Sequence, residues 1–83
     1  MSEEITNAVR EYVLKEFLPG ESPDALKTDT PLITGGILDS IATLKLVAFL
    51  EERFDIGIEA HEASMEHMDT VAQITELVLS KKR

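Results

Sequence analysis

Eighty-three residues with sixteen acidic side chains against eight basic ones make a small domain of net charge −8, with no cysteine. That length supports one core and leaves no room for a second, and without thiols neither disulfides nor thiolate metal sites can form. Lys81, Lys82 and Arg83 cluster at the tail, so residues 1–80 carry sixteen acids against five bases, a body that nucleic acid and anionic membranes would repel and basic protein surfaces would attract.

Ile5, Val9, Tyr12, Val13 and Phe17 recur at spacings of three and four and predict a helix over residues 3–17. Glu3 and Glu4 suit its positive end, and Ser2 and Thr6 are both eligible as its cap. Leu18-Pro19-Gly20 ends it, because proline cannot continue the hydrogen-bond ladder. A long connection over residues 18–38 holds Pro19, Pro23, Pro31 and the Gly35-Gly36 pair. Leu26, Leu32, Ile33, Ile37 and Leu38 are expected to pin it to the core, with a helical turn near Pro23 to Leu26.

The strongest helix pattern covers residues 40–54. Leu46, Val47, Leu50 and Phe54 form its core stripe, while Ile41, Leu44 and Ala48 lie on an adjoining one. So broad an apolar arc belongs to a helix touched on several sides, or to one that offers a surface to a partner. The pattern favours the first reading for Leu44 and the second for Ile41. Asp55-Ile56-Gly57-Ile58 leaves the helix in extended form, with no second strand to pair with it. Residues 60–66 read as a short helix, with Met65 and Met68 available to plug the core. Thr70, followed three residues later by Gln73, is a capping box. Val71, Ile74, Leu77 and Val78 then form the inner face of a last helix ending near Ser80, with the basic tail at its negative end. The expected architecture is all-α: a single domain over residues 1–83, ordered from about 3 to 80, with three main helices, one short helix and a long first loop.

Enzymatic motifs are missing. His61 and His67 lie six residues apart and do not share a helical face as metal ligands would. Glu51 and Glu52 are adjacent and point in different directions, as on a solvated face rather than in a two-carboxylate hydrolase. Ser40 is not in a Gly-x-Ser-x-Gly elbow, and Asp39 beside it cannot orient a distant histidine. The Gly35-Gly36 pair fits neither a P-loop nor a dinucleotide fingerprint. What stands out is residues 35–44, Gly-Gly-Ile-Leu-Asp-Ser-Ile-Ala-Thr-Leu, a loop running into a helix with Ser40 at the first turn. A serine or aspartate there is often only a cap. A phosphate on Ser40 would nevertheless meet unpaired backbone N–H groups and the positive end of the helix dipole.

No apolar run approaches the roughly 20 residues that span a membrane, and the N-terminal Met-Ser-Glu-Glu is acidic, unlike a signal peptide. A cytoplasmic, monomeric protein without membrane insertion is expected.

The chain resembles the acyl carrier protein superfamily of acyl, peptidyl and aminoacyl carriers. The resemblance is carried by Asp29-Thr30-Pro31-Leu32, by Gly35-Gly36-Ile37-Leu38-Asp39-Ser40-Ile41, and by Leu46-Val47 and Leu50-Glu51-Glu52-Arg53-Phe54. Ile58 and Thr70-Val71 extend it, so that it covers about residues 5–79. It implies a four-helix acyl-carrier-like bundle that catalyses nothing itself. Ser40 would be the site where a phosphopantetheinyl transferase attaches 4′-phosphopantetheine from coenzyme A, and the arm's thiol would hold acyl or aminoacyl groups as thioesters. Asp39 would support the motif, and Ile41, Leu44 and Lys45 would form the docking surface beside the serine.

Fatty-acid carriers resembling this chain place acids where Ala42 and Lys45 stand, and charge reversal at a docking rim chiefly alters partner choice. The span from Ser40 to Thr70 is also a little longer than in that subgroup. In these respects the chain looks more like D-alanyl and other aminoacyl or peptidyl carriers, which adenylating ligases load. A specialised biosynthetic pathway is therefore expected, with a ligase, transacylase or synthase as partner. The alternatives are a housekeeping fatty-acid carrier and, from another class, an unmodified interaction module of the same fold.

Overall fold

A computed structural model describes residues 2–22 and 26–82, Ser2 and Met65 by their backbone alone. Along the chain come α1 (Ser2–Phe17), α2 (Ser40–Phe54), a 3-10 turn (Ala60–Glu62), α3 (Met65–Met68) and α4 (Val71–Lys81), with no strand among the described residues. The all-α expectation holds.

Ile5, Val9 and Val13 of α1 are buried at the spacing that the pattern requires. The Tyr12 ring stacks on Phe49 of α2 with centroids 4.1 Å apart, and Phe17 meets Tyr12 edge-on. α1 packs chiefly on α4 and more lightly on α2. Thr6 is not the cap of α1. Its hydroxyl lies 3.0 Å from that of Thr75, tying α1 to α4, and the capping role of Ser2 lies outside the described side chains.

Leu26, Leu32 and Leu38 of the first loop are buried in the core, with Ile33 and Ile37 half-buried against it. Polar ties hold the same loop. The Arg10 guanidinium donates to the Leu26 carbonyl, from Nη2 at 2.9 Å, and the Ala72 N–H donates to Thr28 at 3.0 Å. The helical turn expected from Pro23 lies outside the described residues.

The short helix expected over 60–66 is split in two. Glu62 accepts from the Glu59 N–H at 2.9 Å and pairs with Lys81 at 2.7 Å, which fixes the 3-10 turn against the end of α4. Ala63 and Ser64 break the helical path before α3, whose Met68 is fully buried. The part expected of Met65 lies outside the described side chains. Gln73 does only half of what a capping box prescribes. Its N–H donates to Thr70 Oγ1 at 3.1 Å, but its side chain accepts from the N–H of Asp69, one residue upstream of the cap.

Glu51 also departs from expectation. Asp55 ends α2 in the left-handed region, with φ 56°, and the chain returns along the helix so that the Ile58 N–H donates to Glu51 Oε2 at 2.9 Å. Glu51 is thus a half-buried acceptor for the extended segment, while Glu52 faces solvent.

Candidate functional site

Asp39 begins the site by capping α2. Its backbone is extended, and its carboxylate accepts from the Ala42 N–H at 2.7 Å. Its carbonyl accepts from the Thr43 N–H at 2.9 Å and from the Thr43 hydroxyl at 2.8 Å. Ser40 is therefore the first residue of the helix, exposed, with no hydrogen-bond partner for its hydroxyl among the described residues.

The loop that delivers Asp39 is held tightly. The Leu32 carbonyl accepts from the N–H groups of Ile37 and Leu38, each at 2.8 Å, closing a ring of chain around the glycine pair. Both glycines are required. Gly36 has φ +84°, and a Cβ on Gly35 would overlap the carbonyl oxygen of Pro31. Asp69, between α3 and α4, clamps this ring. Its carboxylate accepts from the N–H groups of Ile33 and Thr34 and from the Thr34 hydroxyl, each at 2.9 Å. These bonds, that from the Thr34 N–H first, hold its carboxyl below the usual carboxylate range.

Beyond Ser40, α2 presents Ile41, Leu44, Lys45 and Ala48 to solvent. Ile41 is 65% exposed and Leu44 66%, so Leu44 is not the inter-helix contact that periodicity favoured. Leu46 and Leu50 fill the interior, as their core stripe predicts. Lys45 keeps its side chain exposed while its carbonyl accepts from the Tyr12 hydroxyl at 3.3 Å.

A cavity of about 580 Å³ opens beside Ser40. Leu38, Asp39, Ser40, Thr43 and Leu44 line it on one part, and Ala60, Ala63 and Ser64 on another. The Ser64 hydroxyl is buried without a hydrogen-bond partner. The structure thus gathers Asp39, Ser40 and Leu44 around one cavity, while Ile41 and Lys45 do not line it. Sequence reasoning missed Asp69, Thr43 and Ser64. Thr43, four residues after Asp39 on a predicted helix, could have been found by its spacing. Asp69 and Ser64 meet the site only through tertiary folding and carry no local signal.

Other features stand apart. A groove of about 880 Å³ lies between α1 and α2, lined by residues such as Glu11, Tyr12 and Arg53, and shares no residue with the Ser40 cavity. His61 and His67 are exposed, and neither lines that cavity.

No family model matches the chain. Curated relatives do. A D-alanyl carrier protein of Streptococcus sanguinis is 31% identical over 64 residues, 77% of this chain and 78% of the relative. Another, from Streptococcus gordonii, is 38% identical over 48 residues, 58% of this chain and 61% of the relative. Among solved structures, a chain from the crystal structure of an FAD-dependent dehydrogenase superposes with TM-score 0.75 at 31% identity, over 84% of this chain and 97% of that one. With the S. sanguinis relative matched over more than three-quarters of both chains, this chain belongs to the acyl carrier protein superfamily, beside the D-alanyl carrier proteins.

Proposed function

We propose that the chain carries aminoacyl or acyl intermediates as thioesters on a 4′-phosphopantetheine arm attached to Ser40. The observation that carries this reading is the Ser40 hydroxyl, exposed and unpartnered on the first residue of a capped helix, beside a cavity. Membership in the carrier superfamily supplies the identity of the group.

The residues fit such an arm. Ser40 Oγ is open to a transferase and engaged by nothing that attachment would have to break. The free N–H groups of the first turn of α2, together with its dipole, favour a phosphodiester anion on that oxygen. Asp39 already spends a carboxylate oxygen on the Ala42 N–H, so its charge supports the turn. What the group supplies when bound is a terminal thiol, on which an acyl or aminoacyl chain is held as a thioester. The chain itself contributes a fixed anchor and a docking surface rather than a catalytic group. Ile41 and Leu44 offer apolar contact beside the anchor, and Lys45 sets the sign of charge at its rim.

The aminoacyl side of the reading is supported by the relatives' names and by Ala42 and Lys45. The partners on this reading are a phosphopantetheinyl transferase, then an adenylating ligase and the transacylase or synthase that receives the cargo. A single domain acting as a monomer in the cytoplasm suits them. No helix among the described residues is long and apolar enough to cross a membrane.

The test is to incubate arm-bearing protein with ATP, radiolabelled D-alanine and a D-alanine-adenylating ligase. The expected result is label that hydroxylamine releases and that Ser40→Ala never acquires. No aminoacylation, with efficient turnover by fatty-acid synthase enzymes that Lys45→Glu does not improve, would favour the housekeeping reading instead.

A further inference from the structure

We infer that the Ser64 hydroxyl holds the arm carried on Ser40 against the neighbouring cavity, by hydrogen bonding to one of the arm's amide groups. The inference rests on Ser40 as the attachment point and adds a residue that positions the arm.

Ser64 lies in the break between the 3-10 turn and α3, with extended backbone. Its carbonyl accepts from the N–H groups of His67 and Met68, at 3.0 and 2.8 Å. Its side chain makes no corresponding bond. A serine at such a position ordinarily turns its oxygen onto an N–H two or three residues ahead, and here that bond is absent. The oxygen is buried and unpartnered instead, in a residue that lines the cavity beside Ser40. Native chains pair the large majority of buried side-chain oxygens, so an orphan oxygen in a residue of the cavity wall points to a ligand atom within reach of that side chain.

The rest of the lining shows which ligand. The Thr43 hydroxyl is committed to the Asp39 carbonyl, the Asp39 carboxylate accepts from the Ala42 N–H, and Ile33, Leu38, Leu44, Ala60 and Ala63 offer only apolar side chains. A suitable occupant is therefore a slender chain, mostly methylene, with an isolated polar group and a tether at Ser40. An amide presents both N–H and C=O, and a serine hydroxyl both donates and accepts, so either end of the amide is a match. One side-chain torsion with staggered wells carries Oγ from the wall toward the cavity without moving the backbone. A fatty tail would offer that oxygen nothing. On this reading the cavity holds the arm, and the cargo extends beyond it.

The test compares wild type, Ser64→Ala and Ser64→Thr, each charged with isotope-labelled pantetheine and checked by intact mass. In the wild type, nuclear Overhauser contacts are expected between an arm amide proton and residues 63 and 64. That amide is expected to exchange with solvent severalfold more slowly than in free pantetheine. Ser64→Ala is expected to return the exchange to the free rate, and Ser64→Thr to keep it slowed. Before charging, Ser64→Ala is expected to unfold at the same temperature as wild type or higher, because the hydroxyl makes no bond in the uncharged protein. A mass gain with exchange at the free rate in the wild type, or equally slowed in wild type and Ser64→Ala, overturns the contact and leaves attachment standing. No mass gain overturns attachment and the contact with it.

Discussion

Asp39 and Ser40 are neighbours that divide the start of α2 between them, one turned inward to the backbone and the other left open. The Asp39 carboxylate satisfies the Ala42 N–H, and loss of such a cap costs about 1 kcal/mol. Asp39→Ala is therefore expected to lower stability by about that much in urea unfolding, whereas Ser40→Ala stays within about 0.5 kcal/mol. Equal losses would mean that Ser40 has a structural bond of its own. Asp69 is a second residue whose state is set by what it holds. Its carboxyl sits below its ordinary value of 3.8, chiefly through the bond from the Thr34 N–H. A lowered folded pKa means that this stabilisation is complete above the ordinary carboxylate range and lost as pH falls through the lowered value. Asp69→Asn is expected to reduce the unfolding temperature at neutral pH and flatten its decline in acid. An unchanged acid limb would remove Asp69 from the clamp.

The first loop and α2 form one device at the level of elements. The loop is long, yet Leu26, Leu32 and Leu38 bury it and Asp69 fixes its last turn, so the start of α2 is placed by the core rather than by a free linker. Gly35→Ala tests that placement. Its new methyl group would overlap the Pro31 carbonyl oxygen, so the ring around Leu32 has to shift. The expected result is lower stability with faster amide exchange at Ile37 and Leu38, whose N–H groups close that ring. Wild-type protection at both would contradict it. Much of this arrangement was legible in the sequence, because capping and apolar period are local. Asp39, Thr70 and the buried stripes of α1 and α4 stood where their spacing put them. The errors came where two stripes of one helix compete. The pattern within residues 40–54 puts Leu46 in the core stripe, as found, but does not say whether the adjoining Leu44 meets another helix or solvent, and tertiary packing leaves Leu44 exposed. Glu51 was misread for a related reason, since its partner, the Ile58 N–H, is brought back only by the left-handed turn at Asp55.

At the scale of the whole molecule, the described residues of an acidic helical bundle measuring 34 × 26 × 20 Å pack around a hydrophobic core and expose Ser40, Ile41 and Leu44 at the start of α2. On the proposed function, the cavity beside Ser40 lies next to the anchor of a tethered chain. Tethering lets successive enzymes meet the same intermediate at high effective concentration, which asks of the carrier only an anchor and a surface. The unclaimed acidity of the body favours encounter with basic partner surfaces. All of this depends on the anchor. The direct measurement is the intact mass of the protein before and after incubation with coenzyme A and a broad-specificity phosphopantetheinyl transferase, beside Ser40→Ala. The account predicts a gain of one phosphopantetheine in the wild type and none in the variant. A folded wild type that gains nothing, or a variant that gains as much, would contradict it.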